Sequence, residues 1–247
     1  RNSEPEKNPL PNPPPQAGEG VGPNRCGVVC STGPPKPRAV ASAAEGLTVP
    51  PVILPPHAPG LRVGLFGGTF DPPHEAHLAL ARMALKRLRL DFIWWLVTPG
   101  NPLKDNAELP PLAERVRQAR GVAGDARIQV TGIEATLRTR YTADTLRALK
   151  RRCPGVNFVW IMGSDNLAGF HRWAEWRAIA RMMPIAVIDR PGSTHSAIAS
   201  PAAGWLSRWR IPENQAASLA HTRPPAWVFL HGKRSALSST MLRRQAG

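Results

Sequence analysis

The sequence predicts an α/β fold: a Rossmann-like, mostly parallel sheet with helices on both faces, preceded by a disordered N-terminal extension. Three observations point there. From residue 61 onward short apolar runs alternate with helical patterns, the order that builds a parallel sheet covered on both sides. The first of these runs passes through a double glycine straight into a helix, an arrangement suited to phosphate binding. The prolines are segregated, with 15 of the 28 in residues 1–60, where Val52–Leu54 is the one aliphatic cluster.

The elements follow in chain order. Residues 1–60 cannot bury enough apolar surface to offset their ordering entropy, so the folded domain is expected over 61–247. The chain opens on Arg1 rather than Met; either something was removed or the reading frame extends upstream of the true start, and the composition of residues 1–48 favours the second. Arg62–Phe66 reads as a buried strand. His77–Leu90 reads as a helix, with Leu80, Ala81, Ala84, Leu85 and Leu88 on one face. Phe92–Val97 is a second strand, with Trp94 and Trp95 assigned to the core. A helix over Leu112–Val122 precedes a short strand, Arg127–Val130. Thr142–Arg152 is helical, with Thr142 as N-cap and an Asp in the first turn. Asn157–Met162 is a strand, Ala174–Met182 a helix, Pro184–Ile188 and Trp227–Leu230 the last strands. Residues 190–225 read as an irregular excursion with a short helix around Trp205–Trp209, and a closing helix starts near Ser238.

Charge and cysteine usage narrow the function classes. Net charge is +15, of which residues 1–60 supply +1, from five Lys/Arg against four Glu. The domain therefore carries +14 and attracts anions: nucleic acid, an anionic membrane surface or phosphorylated small molecules. Three cysteines, Cys26, Cys30 and Cys153, make no disulfide framework, and no His or Cys near the first two suggests a metal site. The longest apolar run of the domain, Phe92–Val97, has six residues, far below a membrane span. With no apolar signal core at the N-terminus, a cytoplasmic location and no membrane partner are expected.

Three motifs carry chemistry. Gly67-Gly68-Thr69-Phe70-Asp71-Pro72-Pro73-His74-Glu75-Ala76-His77 follows a strand and enters a helix. Glycines allow close backbone approach to a phosphate, and the helix start offers free N–H groups and a positive dipole end. His74 and His77, three residues apart, can face the same phosphate. The run matches neither a P-loop nor Gly-x-Gly-x-x-Gly. Gly163-Ser164-Asp165-Asn166-Leu167 lies just beyond a strand, where Asp165 either holds a ribose or metal-bound phosphate or simply caps a short helix. Leu237-Ser238-Ser239-Thr240-Met241-Leu242-Arg243 places hydroxyls at a helix start with an arginine one turn on; an ordinary cap is the competing reading.

The first run resembles the signature of the nucleotidylyltransferase superfamily. All three motifs in this order, across residues 62–244, resemble the bacterial nicotinate-nucleotide adenylyltransferases. Further matching pieces are Thr98-Pro99-Gly100-Asn101-Pro102-Leu103-Lys104, Tyr141-Thr142-Ala143-Asp144-Thr145-Leu146 and Asp189-Arg190-Pro191-Gly192. Two residues depart from the family pattern: Ala76 stands where a Gly is usual, and Arg140 where a Ser often precedes the tyrosine.

The resemblance implies adenylyl transfer from ATP to nicotinate mononucleotide, with Mg²⁺ accompanying the ATP and no protein metal site. His74, His77 and Arg243 are then the candidate catalytic residues. Gly67, Gly68, Thr69, Phe70, Lys104, Gly163, Asp165, Ser238, Ser239 and Thr240 are candidates for ATP. Tyr141, Thr142 and Trp173 are candidates for the nicotinate nucleotide, although core packing competes for Trp173. Sister transferases acting on nicotinamide mononucleotide or phosphopantetheine remain alternatives. A basic RNA-binding protein is the non-enzymatic one; against it, the aromatics do not alternate with Lys/Arg as stacking platforms require.

Overall fold

The computed structural model describes residues 52–100, 106–190 and 192–232. Six strands, β1 (Arg62–Gly68), β2 (Phe92–Val97), β3 (Ile128–Thr131), β4 (Asn157–Gly163), β5 (Ile185–Ile188) and β6 (Trp227–Leu230), form one sheet in the order β3-β2-β1-β4-β5-β6. Every ladder is parallel. The chain winds outward from β1 to β3, then crosses back to β4 and winds the other way. That reversal leaves a crevice beyond the carboxyl ends of β1 and β4, where ligands bind in sheets of this kind. The register brings those ends level: Gly68 pairs with Val97, Phe66 with Ile161, and Gly163 with Ile188.

The helices are α1 (Glu75–Arg87), α2 (Leu112–Ala123), α3 (Ile133–Leu137), α4 (Thr142–Arg152), α5 (Ser164–Gly169), α6 (Trp176–Met182), α7 (Thr194–Ile198) and α8 (Pro201–Leu206), with 3₁₀ turns at 170–172, 207–209 and 213–221. They enclose two apolar cores, one on each face of the sheet. Val63, Leu65, Trp94 and Trp160 pack with Leu146, Leu149 and Ile179 on one side. Phe66, Ile93, Trp95 and Ile161 pack with Leu80, Ala84, Leu85 and Ala119 on the other. Trp94 and Trp95 are fully buried, one in each core, because adjacent strand residues face opposite ways.

Helix α1 starts two residues earlier than its periodicity suggests, at Glu75, with His74 as N-cap. It stops at Arg87, and Arg89 takes a left-handed φ of 50° before β2 begins. Thr142 is not a cap. Tyr141 holds that position and its carbonyl receives the Asp144 and Thr145 amides, leaving Thr142 as the first helical residue. The 190–225 excursion is more helical than expected. Ser200 caps α8 by accepting the Ala203 amide at 3.2 Å, with Pro201 in the first turn. Residues 52–60 also differ from the expectation that folded chain begins near 61. Val52 and Leu54 pack against the first core, His57 meets Trp94 edge-on at 6.1 Å, and the Gly60 amide donates to the Gly155 carbonyl at 2.8 Å. The closing helix near Ser238 lies outside the described residues. No helix among the described residues is long and apolar enough to cross a membrane.

Candidate active site in the β1–β4 crevice

Strand β1 ends on its two glycines because neighbours crowd the backbone there. A Cβ on Gly67 would come within 2.8 Å of Trp160 Cη2, and one on Gly68 within 3.3 Å of the Phe70 ring. Phe70 turns the chain with φ of 49° and sends its ring inward, stacked on Trp95 at 5.0 Å and 4.9 Å from His77. Phe70 can therefore offer a ligand its backbone, while its side chain floors the turn.

Two histidines stand where α1 begins. The His74 amide donates to His77 Nδ1 at 3.3 Å, which assigns the His77 proton to Nε2. The two rings lie 3.9 Å apart and both residues are 7% exposed. By strict geometry neither ring nitrogen of His74 has a hydrogen-bond partner among the described residues, although its side chain also lies in capping-box reach of the His77 amide. Burial pushes the His77 pKa down to about 3, with His74 and Arg190 adding to the effect. The His74 pKa is lowered by burial and then by Arg190. Two neutral imidazoles thus sit at the positive end of a helix dipole.

The opposite wall comes from β4 and β5. A Cβ on Gly163 would run into Asp165 Oδ1 and lie 3.0 Å from the Arg190 side chain. Asp165 pairs with Arg190 at 3.3 Å. Buried Ser164 accepts the Arg190 amide at 2.8 Å and shares a hydrogen bond with Ser193 at 2.6 Å. Arg190 therefore projects its charge towards the histidine pair. Arg190 belongs to the Asp189-Arg190-Pro191-Gly192 run, which carried no role from sequence; the available signal was a cation two residues past the fully buried run Ile185–Ile188.

A second side missed from sequence joins β2. Arg115 in α2, 1% exposed, donates to the carbonyls of Pro110, Thr69, Thr98 and Pro99 at 2.7–3.1 Å. Glu134 in α3 is also buried, its carboxyl pKa raised by burial against the opposing hydrogen bonds from Thr98 and Thr145. Thr145 in turn bonds Thr139 at 2.8 Å. A cavity of about 260 Å³ opens here, lined by Thr98, Pro99, Gly100, Asn106, Thr139 and Arg140. Arg140 stands 5.7 Å from the centre of the Tyr141 ring, which is 41% exposed at the start of α4. Trp173 reaches the crevice through other rings, 5.4 Å from Phe170 and 6.2 Å from Trp160. Trp160 is the ring against Gly67.

The structure thus gathers Gly67, Gly68, Thr69, Phe70, His74 and His77 on one wall and Gly163 and Asp165 on the other. Tyr141 and Thr142 open α4 directly after Arg140, which lines the β2-side cavity. Lys104, Ser238, Ser239, Thr240 and Arg243 lie outside the described residues. Among the described residues no group of three or more His, Cys, Asp or Glu is placed to hold a metal ion. Chemically, the site combines close-approach glycines, neutral imidazoles and the partly buried cation of Arg190, a set suited to phosphate oxygens.

The cytidylyltransferase-like family model matches residues 65–245. Among curated proteins, the chain is 56% identical over 184 residues to the probable nicotinate-nucleotide adenylyltransferase of Brucella abortus (strain 2308), covering 74% of this chain and 95% of that protein. It is 59% identical over 183 residues to the protein of that name from Methylorubrum extorquens, covering 74% and 99%. Among solved structures, Plasmodium falciparum nicotinic acid mononucleotide adenylyltransferase complexed with NaAD superposes with a TM-score of 0.55 at 17% identity, over 74% of this chain and 83% of that one. That likeness bears on the fold.

Proposed function

Because this chain belongs to the nicotinate-nucleotide adenylyltransferase family, within the cytidylyltransferase-like proteins, we propose that it joins ATP and nicotinate mononucleotide to give deamido-NAD and pyrophosphate, a step of NAD biosynthesis. The observation that carries the reading is the histidine pair at the start of α1. It comprises two buried neutral rings, 3.9 Å apart, beside a glycine turn at the topological switch point.

In this reaction the mononucleotide phosphate attacks the α-phosphorus of ATP. A new P–O bond forms, the α–β bridge breaks, and pyrophosphate leaves. A phosphate dianion needs no general base, so the protein's work is alignment and charge stabilisation. His77 Nε2–H donates to a phosphate oxygen, and the His74 ring takes a second phosphate contact. Backbone groups of Gly67, Gly68, Thr69 and Phe70 cradle the triphosphate. Gly163 leaves room for it, and Asp165, held by Arg190, faces the nucleotide. Lys104, Ser238, Ser239, Thr240 and Arg243 complete the phosphate contacts on this reading. Tyr141, Thr142 and Trp173 receive the nicotinate nucleotide. Mg²⁺ accompanies the ATP, held mostly by phosphate oxygens and water. When bound it would neutralise triphosphate charge. We place the reaction in the cytoplasm.

The test is product identification. ATP, Mg²⁺, nicotinate mononucleotide and the purified chain should yield deamido-NAD and pyrophosphate in equal amounts. Absence of the dinucleotide would overturn the proposal.

A further inference from the structure

Arg115 lies on the buried stripe of α2, in line with Ala119 and Ala123. A guanidinium there is costly, since burying a charge forfeits several kcal/mol of hydration. Its Nε donates to Pro110 O at 2.8 Å, one terminal nitrogen to both Thr69 O at 2.7 Å and Thr98 O at 2.8 Å, and the other to Pro99 O at 3.1 Å. Asp71 lies close enough to favour the charge. Thr69 leaves β1 and opens the histidine turn. Thr98 and Pro99 leave β2 and line the cavity beside Thr139 and Arg140. One side chain thus ties together the loops that leave two neighbouring strands, 46 and 17 residues away in sequence.

The tie also orients peptides. In a trans peptide the carbonyl and the next amide point opposite ways. With Thr69 O and Pro99 O held on the guanidinium, the Phe70 and Gly100 N–H groups are aimed away from Arg115. A single residue therefore sets the direction of one donor on each loop and the spacing between the loops.

We propose that Arg115 is a positioning residue for the transfer: it fixes the ATP turn relative to the acceptor-side loop and so holds the attacking phosphate in line with the α-phosphorus. This rests on the assignment of the turn to ATP and of the β2-side cavity to the mononucleotide. An apolar scaffold residue would fill the same space but could not hold three loop carbonyls. Lysine keeps the charge, but its one ammonium cannot make the four carbonyl contacts that the guanidinium spreads over three nitrogens, those to Pro99 and Pro110 included.

The test compares Arg115→Lys with the unaltered full-length chain at a temperature well below both melting points. The expected result is a fall of about tenfold or more in kcat at saturating ATP and nicotinate mononucleotide, with both KM values moving less than kcat. A purely structural role would lower the melting temperature and leave kcat in place, so kcat within twofold of the unaltered chain overturns the proposal. Should Arg115→Lys fail to fold, hydrogen exchange on the unaltered chain decides. A non-hydrolysable ATP analogue alone should protect the Gly100 amide together with those of 69–71. Protection confined to the histidine turn overturns the coupling. An unaltered chain that makes no dinucleotide would instead refute the functional reading itself, and this inference with it.

Discussion

Replacing His77 separates a catalytic donor from a packing residue. Its ring sits 3.9 Å from His74, 4.9 Å from Phe70, 6.1 Å from Phe66 and 6.2 Å from Trp95. Truncation to alanine therefore opens a void bordered by three aromatics, and a destabilisation of about 1–3 kcal/mol is expected. The loss in turnover should be larger. Removing one preorganised donor to developing phosphate charge costs roughly 10²–10³ in rate, about 2.7–4 kcal/mol. His77→Asn partly fills the void and keeps one N–H on a shorter arm, so it should recover stability and about tenfold of the lost rate. Pyrophosphate release, measured on variants shown to be folded by thermal melts, reads both effects. A folded His77→Ala protein with turnover within threefold of the unaltered chain would show that the ring only packs.

The same pair predicts a pH dependence of stability. Unfolded His77 titrates near 6.5, whereas in the fold it resists protonation down to about 3, so the unfolded state binds more protons in that window. Its stabilisation is complete above pH ~6.5 and is lost on acidification at up to ~1.4 kcal/mol per pH unit, with His74 acting in the same direction; denaturant melts at two pH values should show the slope, and His77→Asn should reduce it. Gly67→Ala places a methyl 2.8 Å from the buried Trp160 ring, which should cost about 1–3 kcal/mol and weaken ATP binding, both readable by melts with and without nucleotide. A chain beginning at Pro59 loses the packing of Val52 and Leu54 and the His57–Trp94 contact, so about 1–3 kcal/mol of stability should go with it. A chain beginning at Val52 should melt like the full chain.

What could be read from sequence was whatever local spacing encodes. The strands Phe92–Val97 and Trp227–Leu230 and the helix Thr142–Arg152 have the bounds expected, because apolar runs and periods end there at turn residues. The His-x-x-His pair was legible because a three-residue step at a helix start has one geometry. Arg115 was not, since a lone cation in a helix reads as a solvated face and its partners are carbonyls brought in by the sheet. Arg190 was hidden for a related reason: its effect on the histidines depends on β5 lying beside β4. Helices of five or six residues, such as Ile133–Leu137 and Ser164–Gly169, are too short to display a period. The packing of Val52 and Leu54 against the core was masked by the prolines around them.

The central claim is adenylyl transfer to an acidic pyridine nucleotide, and the most direct measurement is kcat/KM for nicotinate mononucleotide, nicotinamide mononucleotide and phosphopantetheine side by side. Each is assayed with Mg-ATP by pyrophosphate release. The account predicts efficient turnover of nicotinate mononucleotide, at least tenfold less with the amide, and none with phosphopantetheine. Equal efficiency with the acid and the amide, or turnover only of phosphopantetheine, would contradict it.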